Sequence, residues 1–356
     1  MYSFFPSDYL VIRTDPEILQ LTFDSDEPVD HYQVLERKIS QFFGTENVLL
    51  FPDGYLAFVA LVRNLIQEGD VFFIPPESDG AVLDVLEIIQ RHCESARFET
   101  LTSKSFENLP SATSRIVILA SGVSESAGKI APVTQWIEQL ECLYESRGIP
   151  GLILLDDSHG VGLLGKRYRG TFDFFDVPSN HFPDPSNGVQ CFFSASLAET
   201  FGACGGFIAG DRKWLRSIRR TDPCCCQKNQ IPLSNVVAAE KALELVCEIS
   251  RHEQLKENAQ ILSEKLREAK ISFITDPDLP FALVKASNPK GIVKAMSARG
   301  CRISLTHFTK KTQLCLAVNA SHKELEIGFL VETLANLLTH KEEKTGIPDV
   351  SDEKAE

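Results

Sequence analysis

One stretch of the sequence carries an acid and a histidine at a spacing that could support chemistry. Asp156 follows the apolar run Leu152–Leu155, and His159 lies three residues after Asp156. The apolar run predicts a buried strand, and the carboxyl ends of parallel strands are where α/β proteins bind ligands. An imidazole in such a place can hydrogen-bond a ligand or move a proton. The residues alone leave open whether His159 does this or packs at a strand–loop corner.

A second stretch ends in a glycine doublet. Phe192–Ser194 and Phe207–Ala209 read as strands, and Gly205-Gly206 precedes the second one. Further matching positions are Asp157, Gly162 and Gly165. The combined pattern resembles fold-type I enzymes that use pyridoxal phosphate, most closely the α-oxoamine synthases. That family, which includes 8-amino-7-oxononanoate synthase, 2-amino-3-ketobutyrate CoA ligase and serine palmitoyltransferase, joins an acyl-CoA to an amino acid.

The resemblance covers the chain from about Tyr9 to Leu338 and implies a site that has lost its central residue. The family carries its Schiff-base lysine six residues before the first glycine of the doublet, and Glu199 takes that place here. A Schiff base needs a primary amine, which a carboxylate cannot supply. Glutamate could serve only the proton-transfer part of such chemistry. We therefore expect Glu199 to be incompatible with a covalently held cofactor.

The resemblance also implies roles for other positions. Asp156 would pair with the ring nitrogen of the cofactor, and His159 would contact its phenolic oxygen. The phosphate would be held by residues of three segments: Gly54 and Tyr55 at a helix start, Ser196, and Lys228 reaching from a neighbouring subunit. Asp53 stands where the family has a small hydroxyl residue. A carboxylate there would repel a phosphate, and we expect Asp53 to cap the helix instead.

Other positions depart from the family as well. Asp79 replaces a histidine that stacks on the cofactor ring, and Ser121 replaces a glutamate. Cys315 replaces the arginine that grips the substrate carboxylate, a role for which Arg302 is a nearby substitute. A glycine-rich segment near the start of the family's chains has no counterpart. Several family residues are replaced on separate strands. We therefore expect that this chain is no longer required to carry out the family's reaction.

Three functional hypotheses follow. The first is a non-catalytic homologue that acts as a binding or regulatory subunit, as a homodimer or as a heterodimer with a lysine-bearing homologue. The second is an active transferase that holds pyridoxal or pyridoxamine phosphate without a covalent link. The third is an acidic pocket for a cation or polyamine, formed if Asp53, Asp79, Asp156 and Glu199 converge. The alternative to the third hypothesis is that each acid faces solvent or caps a helix.

Composition narrows the class of protein. The chain has 356 residues, 43% hydrophobic, with a formal net charge of −13. This charge, and an expected lack of Lys/Arg clusters, argue against a nucleic-acid partner. The ten cysteines show no C-x-x-C pair, so we expect free thiols and no metal. No signal peptide and no apolar run long enough to span a bilayer are recognised, so we expect a cytoplasmic protein without a membrane partner.

Hydrophobic patterning predicts alternating strands and helices. Strands are expected at Val48–Phe51, Val71–Ile74, Arg115–Leu119, Leu152–Leu155, Phe192–Ser194 and Phe207–Ala209. A helix is expected at 134–147 with Thr134 as its cap, and a later helix with Ser234 as its cap. The fold class is therefore α/β: aminotransferase fold type I, with a mostly parallel sheet covered on both faces and a smaller α+β domain. We assign 31–232 to the large domain, 1–30 and 233–339 to the small one, and 340–356 to a disordered tail.

Overall fold

The structure is a computed structural model of the chain. It describes residues 2–19, 30–93, 96–102, 104–107, 109, 113–177, 187–225, 231–308 and 311–339. Lys228 and the tail 340–356 lie outside these residues, so the expectations for them stay predictions.

The described residues form strands and helices that alternate through the first two thirds of the chain. The strands are β1 (Tyr2–Phe4), β2 (Asn47–Phe51), β3 (Asp70–Ile74), β4 (Arg97–Thr100), β5 (Arg115–Ser121), β6 (Val123–Ser124), β7 (Lys129–Ile130), β8 (Gly151–Asp156), β9 (Val189–Ser196), β10 (Gly206–Gly210), β11 (Phe273–Ile274), β12 (Phe281–Val284), β13 (Cys301–Phe308) and β14 (Lys311–Ala317). The helices are α1 (Pro16–Leu19), α2 (His31–Phe43), α3 (Gly54–Leu65), α4 (Gly80–His92), α5 (Val133–Arg147), α6 (Thr171–Phe174), α7 (Arg212–Thr221), α8 (Leu233–Leu245), α9 (Ile249–Glu268), α10 (Pro289–Ala298) and α11 (Glu324–Thr339).

A seven-stranded sheet forms the central layer, in the order β2-β10-β9-β8-β5-β3-β4. β10 runs antiparallel to both of its neighbours, and the other pairs are parallel. Alternate residues of β8 enter different cores: Leu152 and Leu154 pack with α3, whereas Ile153 and Leu155 pack with α5. A strand buried on both faces must be apolar throughout, which explains the continuous run. The expected α/β class with a mostly parallel sheet is confirmed.

A five-stranded sheet forms a second layer, in the order β1-β13-β14-β12-β11. β1 comes from the start of the chain and pairs parallel with β13. Every strand of the central sheet lies between Asn47 and Gly210, whereas this sheet combines β1 with strands after residue 272. This membership supports the proposed domains, 31–232 and 1–30 with 233–339, which remain a proposal.

Several local expectations are wrong. α5 begins at Val133 after Pro132, and the hydroxyl of Thr134 is buried without a partner instead of capping the helix. α8 begins at Leu233 after Pro232, so Ser234 lies inside its first turn. In both cases a proline with its fixed φ starts the helix one or two residues earlier than the hydroxyl residue.

Helix α7 also contradicts the expectation that Lys and Arg do not cluster. It carries Arg212, Lys213, Arg216, Arg219 and Arg220 within ten residues. Acidic side chains lie against it: Arg219 pairs with Glu36 at 2.6 Å, and Glu46 accepts from the backbone of Arg212.

Within the described part of the chain, no helix is both long and apolar enough to cross a membrane.

Candidate active site

The loop that follows β8 is fixed by the buried carboxylate of Asp157. This carboxylate accepts hydrogen bonds from the backbone N–H of Thr171 at 2.8 Å and from its hydroxyl at 2.6 Å. Gly122, Gly160 and Gly170 surround it so closely that a Cβ on any of them would lie 2.1 Å from a carboxylate oxygen. Burial raises the pKa of Asp157 to about 7, although the bonds from Thr171 oppose this shift. We call these hydrogen bonds and close glycine contacts the Asp157 lock. They hold the neighbouring Asp156 and His159 in place.

Asp156 is the last residue of β8 and is half-buried. One of its oxygens accepts from both the hydroxyl and the backbone N–H of Ser158, at 2.6 and 3.2 Å. Burial raises the pKa of Asp156, while the Ser158 bonds and the nearby His159 act in the opposite direction. Its other oxygen has no hydrogen bond within the described residues, so it is free to accept one from a ligand.

Two further side chains lie against the imidazole of His159. The Tyr9 hydroxyl is 3.5 Å from Nδ1, and the Glu125 carboxylate is 3.6 Å from Nε2. Burial lowers the pKa of His159, but four carboxylates outweigh it and raise the pKa above its ordinary value. In order of effect they are Glu199, Glu125, Asp79 and Asp156. The acids and the imidazole therefore form one electrostatic unit, which we call the acid cluster.

Burial raises the pKa values of Glu125 and Glu199 because charged carboxylates lose hydration there. His159 counteracts the shift in both cases, and Arg13 also does so at Glu199. The thiol of Cys315 is fully buried against Glu125, and its pKa is raised well above the usual value by burial and then by that carboxylate. Cys315 thus faces the acid cluster from the five-stranded sheet as a neutral group.

Asp79 acts on the acid cluster through the turn that it holds. Its carboxylate accepts from the Ser124 hydroxyl at 3.0 Å, from the backbone of Ser126 at 3.0 Å and from that of Glu125 at 3.1 Å. Its backbone N–H donates to the hydroxyl of Ser121. These bonds fix the turn that presents Glu125 to His159. Asp79 is therefore a positioning residue for Glu125.

Glu199 lies on the turn between β9 and β10, and the start of the chain crosses this turn. The backbone N–H of Tyr9 donates to the Glu199 carbonyl at 3.2 Å, and the Tyr9 carbonyl accepts from Ala320 at 2.8 Å. The N-terminal segment therefore joins this turn to the turn that follows β14. The carboxylate of Glu199 has no hydrogen bond or ion pair to the rest of the described chain, so it offers two free acceptor oxygens.

The helix start at α3 meets the end of β9 as the resemblance implies. A Cβ on Gly54 would lie 2.8 Å from the Cβ of Ser196, so only glycine fits at this contact. Asp53 caps α3 by accepting from the backbone of Leu56 at 2.8 Å, which confirms the expected cap. Tyr55 is exposed, and the Ser196 hydroxyl accepts from the backbone of Ala198.

The residues present do not fit a lysine-tethered pyridoxal phosphate. A carboxylate, Asp53, already occupies the helix N-terminus where an anion would bind, and it would repel a phosphate. Glu199, which the resemblance places at the tethering position, is an acid without a nucleophilic amine. Asp156 alone keeps a geometry that suits a cationic ring nitrogen.

The structure brings together Asp156, His159, Glu199 and Asp79, but leaves Asp53 at its cap. Arg302 lies over the ring of Phe5 at 5.2 Å from its centroid, an exposed position, instead of entering the acid cluster. Sequence reasoning missed Glu125 and the role of Tyr9. The only sequence signal for Glu125 is a short polar run after β5, which many turns share.

Comparisons with known proteins agree with this architecture. A family model described as aminotransferase class I and II matches residues 23–334. The chain is 26% identical over 238 residues to an 8-amino-7-oxononanoate synthase from Herminiimonas arsenicoxydans, a match that covers 62% of this chain and 58% of that protein. It also spans 65% of the length of a relative from Bacillus licheniformis, at 28% identity over 266 residues.

Solved structures share the fold at lower identity. The 8-amino-7-oxononanoate synthase from Francisella tularensis superposes with a TM-score of 0.75 at 15% identity, covering 96% of this chain and 99% of that one. Serine palmitoyltransferase from Sphingomonas wittichii gives 0.76 at 16% identity, covering 92% and 85%. These likenesses establish the fold.

Replacement of Asp157 by asparagine tests the lock. The folded-state pKa of about 7 exceeds the ordinary 3.8, so the folded chain binds this proton more tightly between these values. Asp157 therefore makes the free energy of unfolding fall as pH rises from about 4 to about 7, by a few kcal/mol in total. Asp157→Asn should remove this dependence, as measured by urea unfolding across that pH range. Equal slopes for both proteins would contradict the assignment.

Replacement of Glu199 by glutamine tests the acid cluster. Removal of the carboxylate that most favours the imidazolium should lower the pKa of His159, as measured by NMR titration of its ring. Glu257→Gln is the matched control, because Glu257 is an exposed residue of α9 that contacts Gln254. A shift for Glu199→Gln no larger than that of the control would show that Glu199 does not face His159.

Proposed function

The chain belongs to the class I and II aminotransferase family, and we propose that it is a member without Schiff-base chemistry that acts as a binding or regulatory subunit. Among its relatives it resembles the α-oxoamine synthases, whose reaction is acyl transfer to an amino acid. The proposal rests on one observation: Glu199, at the position that the resemblance gives to the lysine, presents a free carboxylate to His159. A carboxylate cannot attach a carbonyl cofactor as an imine.

The surroundings of Glu199 support the same conclusion. Asp53 occupies the helix start that would hold a phosphate, and Asp79 is engaged in a turn instead of offering a ring surface. Cys315, in place of an arginine, is neutral and cannot bind a carboxylate as a guanidinium does. Cofactor attachment, phosphate binding and substrate binding are therefore each weakened by a different residue.

A second candidate function is favoured by Asp156. Its free oxygen at the end of β8 suits the protonated ring of pyridoxal or pyridoxamine phosphate, and His159 lies three residues away. An active transferase could hold either compound without a covalent link. Under this alternative, Glu199 would serve as a proton acceptor.

Incubation with pyridoxal phosphate, followed by borohydride reduction and peptide mapping, separates these possibilities. We expect the wild-type chain to form no stoichiometric adduct at a single lysine, whereas Glu199→Lys should gain one at residue 199. A stoichiometric wild-type adduct on one lysine would overturn the proposal. Retention of the compound through gel filtration without an adduct would favour the second candidate.

We also propose that the chain works in the cytoplasm as a homodimer, with a heterodimer as the alternative. The support is the family resemblance, in which paired subunits share the cleft. Affinity purification at natural abundance, followed by light scattering, should recover a dimer that contains only this chain. Recovery of a lysine-bearing homologue in equal amount would replace the homodimer by a heterodimer, and a monomer would refute both.

A further inference from the structure

A cavity of about 380 Å³, which we call the α9 cavity, lies between the loop after β8, helix α9 and the turn that joins β11 to β12. The loop contributes residues from Leu163 to Tyr168, and Phe174 follows from α6. Its lining in the described part of the chain includes no residue of the acid cluster. Its volume is near the lower end of the range for ligand sites, about 300–1,000 Å³. The cavity is therefore a separate place in the fold with room for a small molecule.

The floor of the α9 cavity is apolar. Leu164 and Leu255 are buried there, from the loop and from α9 respectively. Leu163, Phe174 and Ala259 are partly buried and pack against the same hydrophobic core. Apolar surface leaves water favourably, so this floor suits the apolar part of a ligand.

A stacked pair of aromatic rings adds to the lining. The centroids of Tyr168 and His252 lie 3.4 Å apart, and their planes differ by 3°. Tyr168 has a φ of 59°, a left-handed conformation that residues other than glycine rarely adopt. Its backbone is held there by bonds to Gly162 at 2.9 Å and Gly165 at 3.3 Å. Backbone strain of this kind collects at binding sites, which makes the stacked pair a functional candidate.

Both rings of this pair are uncharged at pH 7. Burial raises the pKa of Tyr168 and lowers the pKa of His252. The pair therefore extends the apolar lining, and any charge that a ligand carries must be met elsewhere.

The mouth of the α9 cavity carries charges of both signs, on the exposed residues Lys166, Glu253, Lys256 and Asp278. Lys166 is already paired with Asp176 at 2.8 Å. The side chains of the other three make no hydrogen bond or ion pair with any residue that the structure describes. Charged residues beside the lining already have partners: Arg167 pairs with Asp173, Arg251 with Asp15 and Glu248, and Asp276 accepts from the backbone of Asp278.

This balance favours a zwitterion over a ligand with a single charge. The mouth offers one free cation, Lys256, and two free anions, Glu253 and Asp278. A carboxylate alone would meet two like charges, and an ammonium group alone would leave Lys256 unused. A ligand with one group of each sign finds a partner for both.

We propose that the α9 cavity binds a free apolar α-amino acid, with its side chain on the floor and its charged groups at the mouth. Its ammonium group would lie beside Glu253 and Asp278, and its carboxylate beside Lys256. Phe174 shares α6 with Thr171, the donor to Asp157, so a bound amino acid would steady the segment that forms the Asp157 lock. The site goes beyond the proposed function, because it does not depend on whether the cleft at Glu199 holds a cofactor.

Calorimetric titration of the full chain with L-phenylalanine tests the proposal. Three matched probes each lack one part of it: 2-phenylethylamine lacks the carboxylate, 3-phenylpropionate lacks the ammonium group, and glycine lacks the apolar side chain. L-phenylalanine should bind, and each probe should bind at least about tenfold more weakly. The two carboxylates at the mouth should make 3-phenylpropionate weaker than 2-phenylethylamine.

Two variants locate the binding. Ala259→Leu fills the cavity and should weaken phenylalanine binding at least about tenfold, whereas Gln260→Leu, on the exposed side of α9, should not. Lys256→Met should weaken phenylalanine binding by about tenfold and leave 2-phenylethylamine unchanged, because the amine does not use Lys256. Lys294→Met, at an exposed lysine of α10, is the matched control.

Several results would overturn the amino-acid site. They are no binding of L-phenylalanine, equal binding of 3-phenylpropionate, and unchanged affinity in Ala259→Leu with native circular dichroism. Binding that is lost in Glu199→Gln but kept in Ala259→Leu would place the amino acid in the cleft and would also overturn it. A covalent pyridoxal adduct in the wild type would refute the proposed function and leave these titrations unaffected.

Discussion

The crowding of carboxylates around one imidazole is the constraint on which the rest of the structure depends. Each acid is costly to bury, and each lowers the cost of protonating His159. The arrangement persists because the backbone is fixed by other means. Asp157 locks the loop after β8, Asp79 fixes the turn of Glu125, and Tyr9 ties down the turn of Glu199. Glu125 and Glu199 are thus placed by bonds that do not involve their own carboxylates.

The same crowding of carboxylates bears on the proposed departures from the family pattern. In that proposal, an acid at position 199 stands where the family has an amine, and its negative charge disfavours a phosphate nearby. Asp53 adds a further charge at the helix start, and Asp79, which the resemblance places at the position of a stacking histidine, accepts three hydrogen bonds instead. The fold of the chain is shared with the solved 8-amino-7-oxononanoate synthase and serine palmitoyltransferase structures.

Sequence patterning predicted the central sheet well because its strands are buried on both faces, as at Leu152–Leu155, and because glycines and prolines separate them. The resemblance assigned Asp156, His159 and Glu199 to one cofactor site, whereas the residues alone favoured acids that face solvent or cap helices. Glu125 and Tyr9 were missed because they lie 34 and 150 residues before His159 in the sequence. No local sequence pattern encodes contacts between residues so far apart. The caps expected at Thr134 and Ser234 were wrong because Pro132 and Pro232 occupy the cap positions instead. Local propensity does not decide whether a proline or a nearby hydroxyl residue begins the helix.

Neutron diffraction from crystals at about pH 6.5, the ordinary pKa of histidine, tests the central claim most directly. The account predicts deuterium on both ring nitrogens of His159, with the carboxylates of Glu125 and Glu199 turned toward the ring. A neutral ring with a single deuterium, and Glu199 turned to solvent, would contradict it.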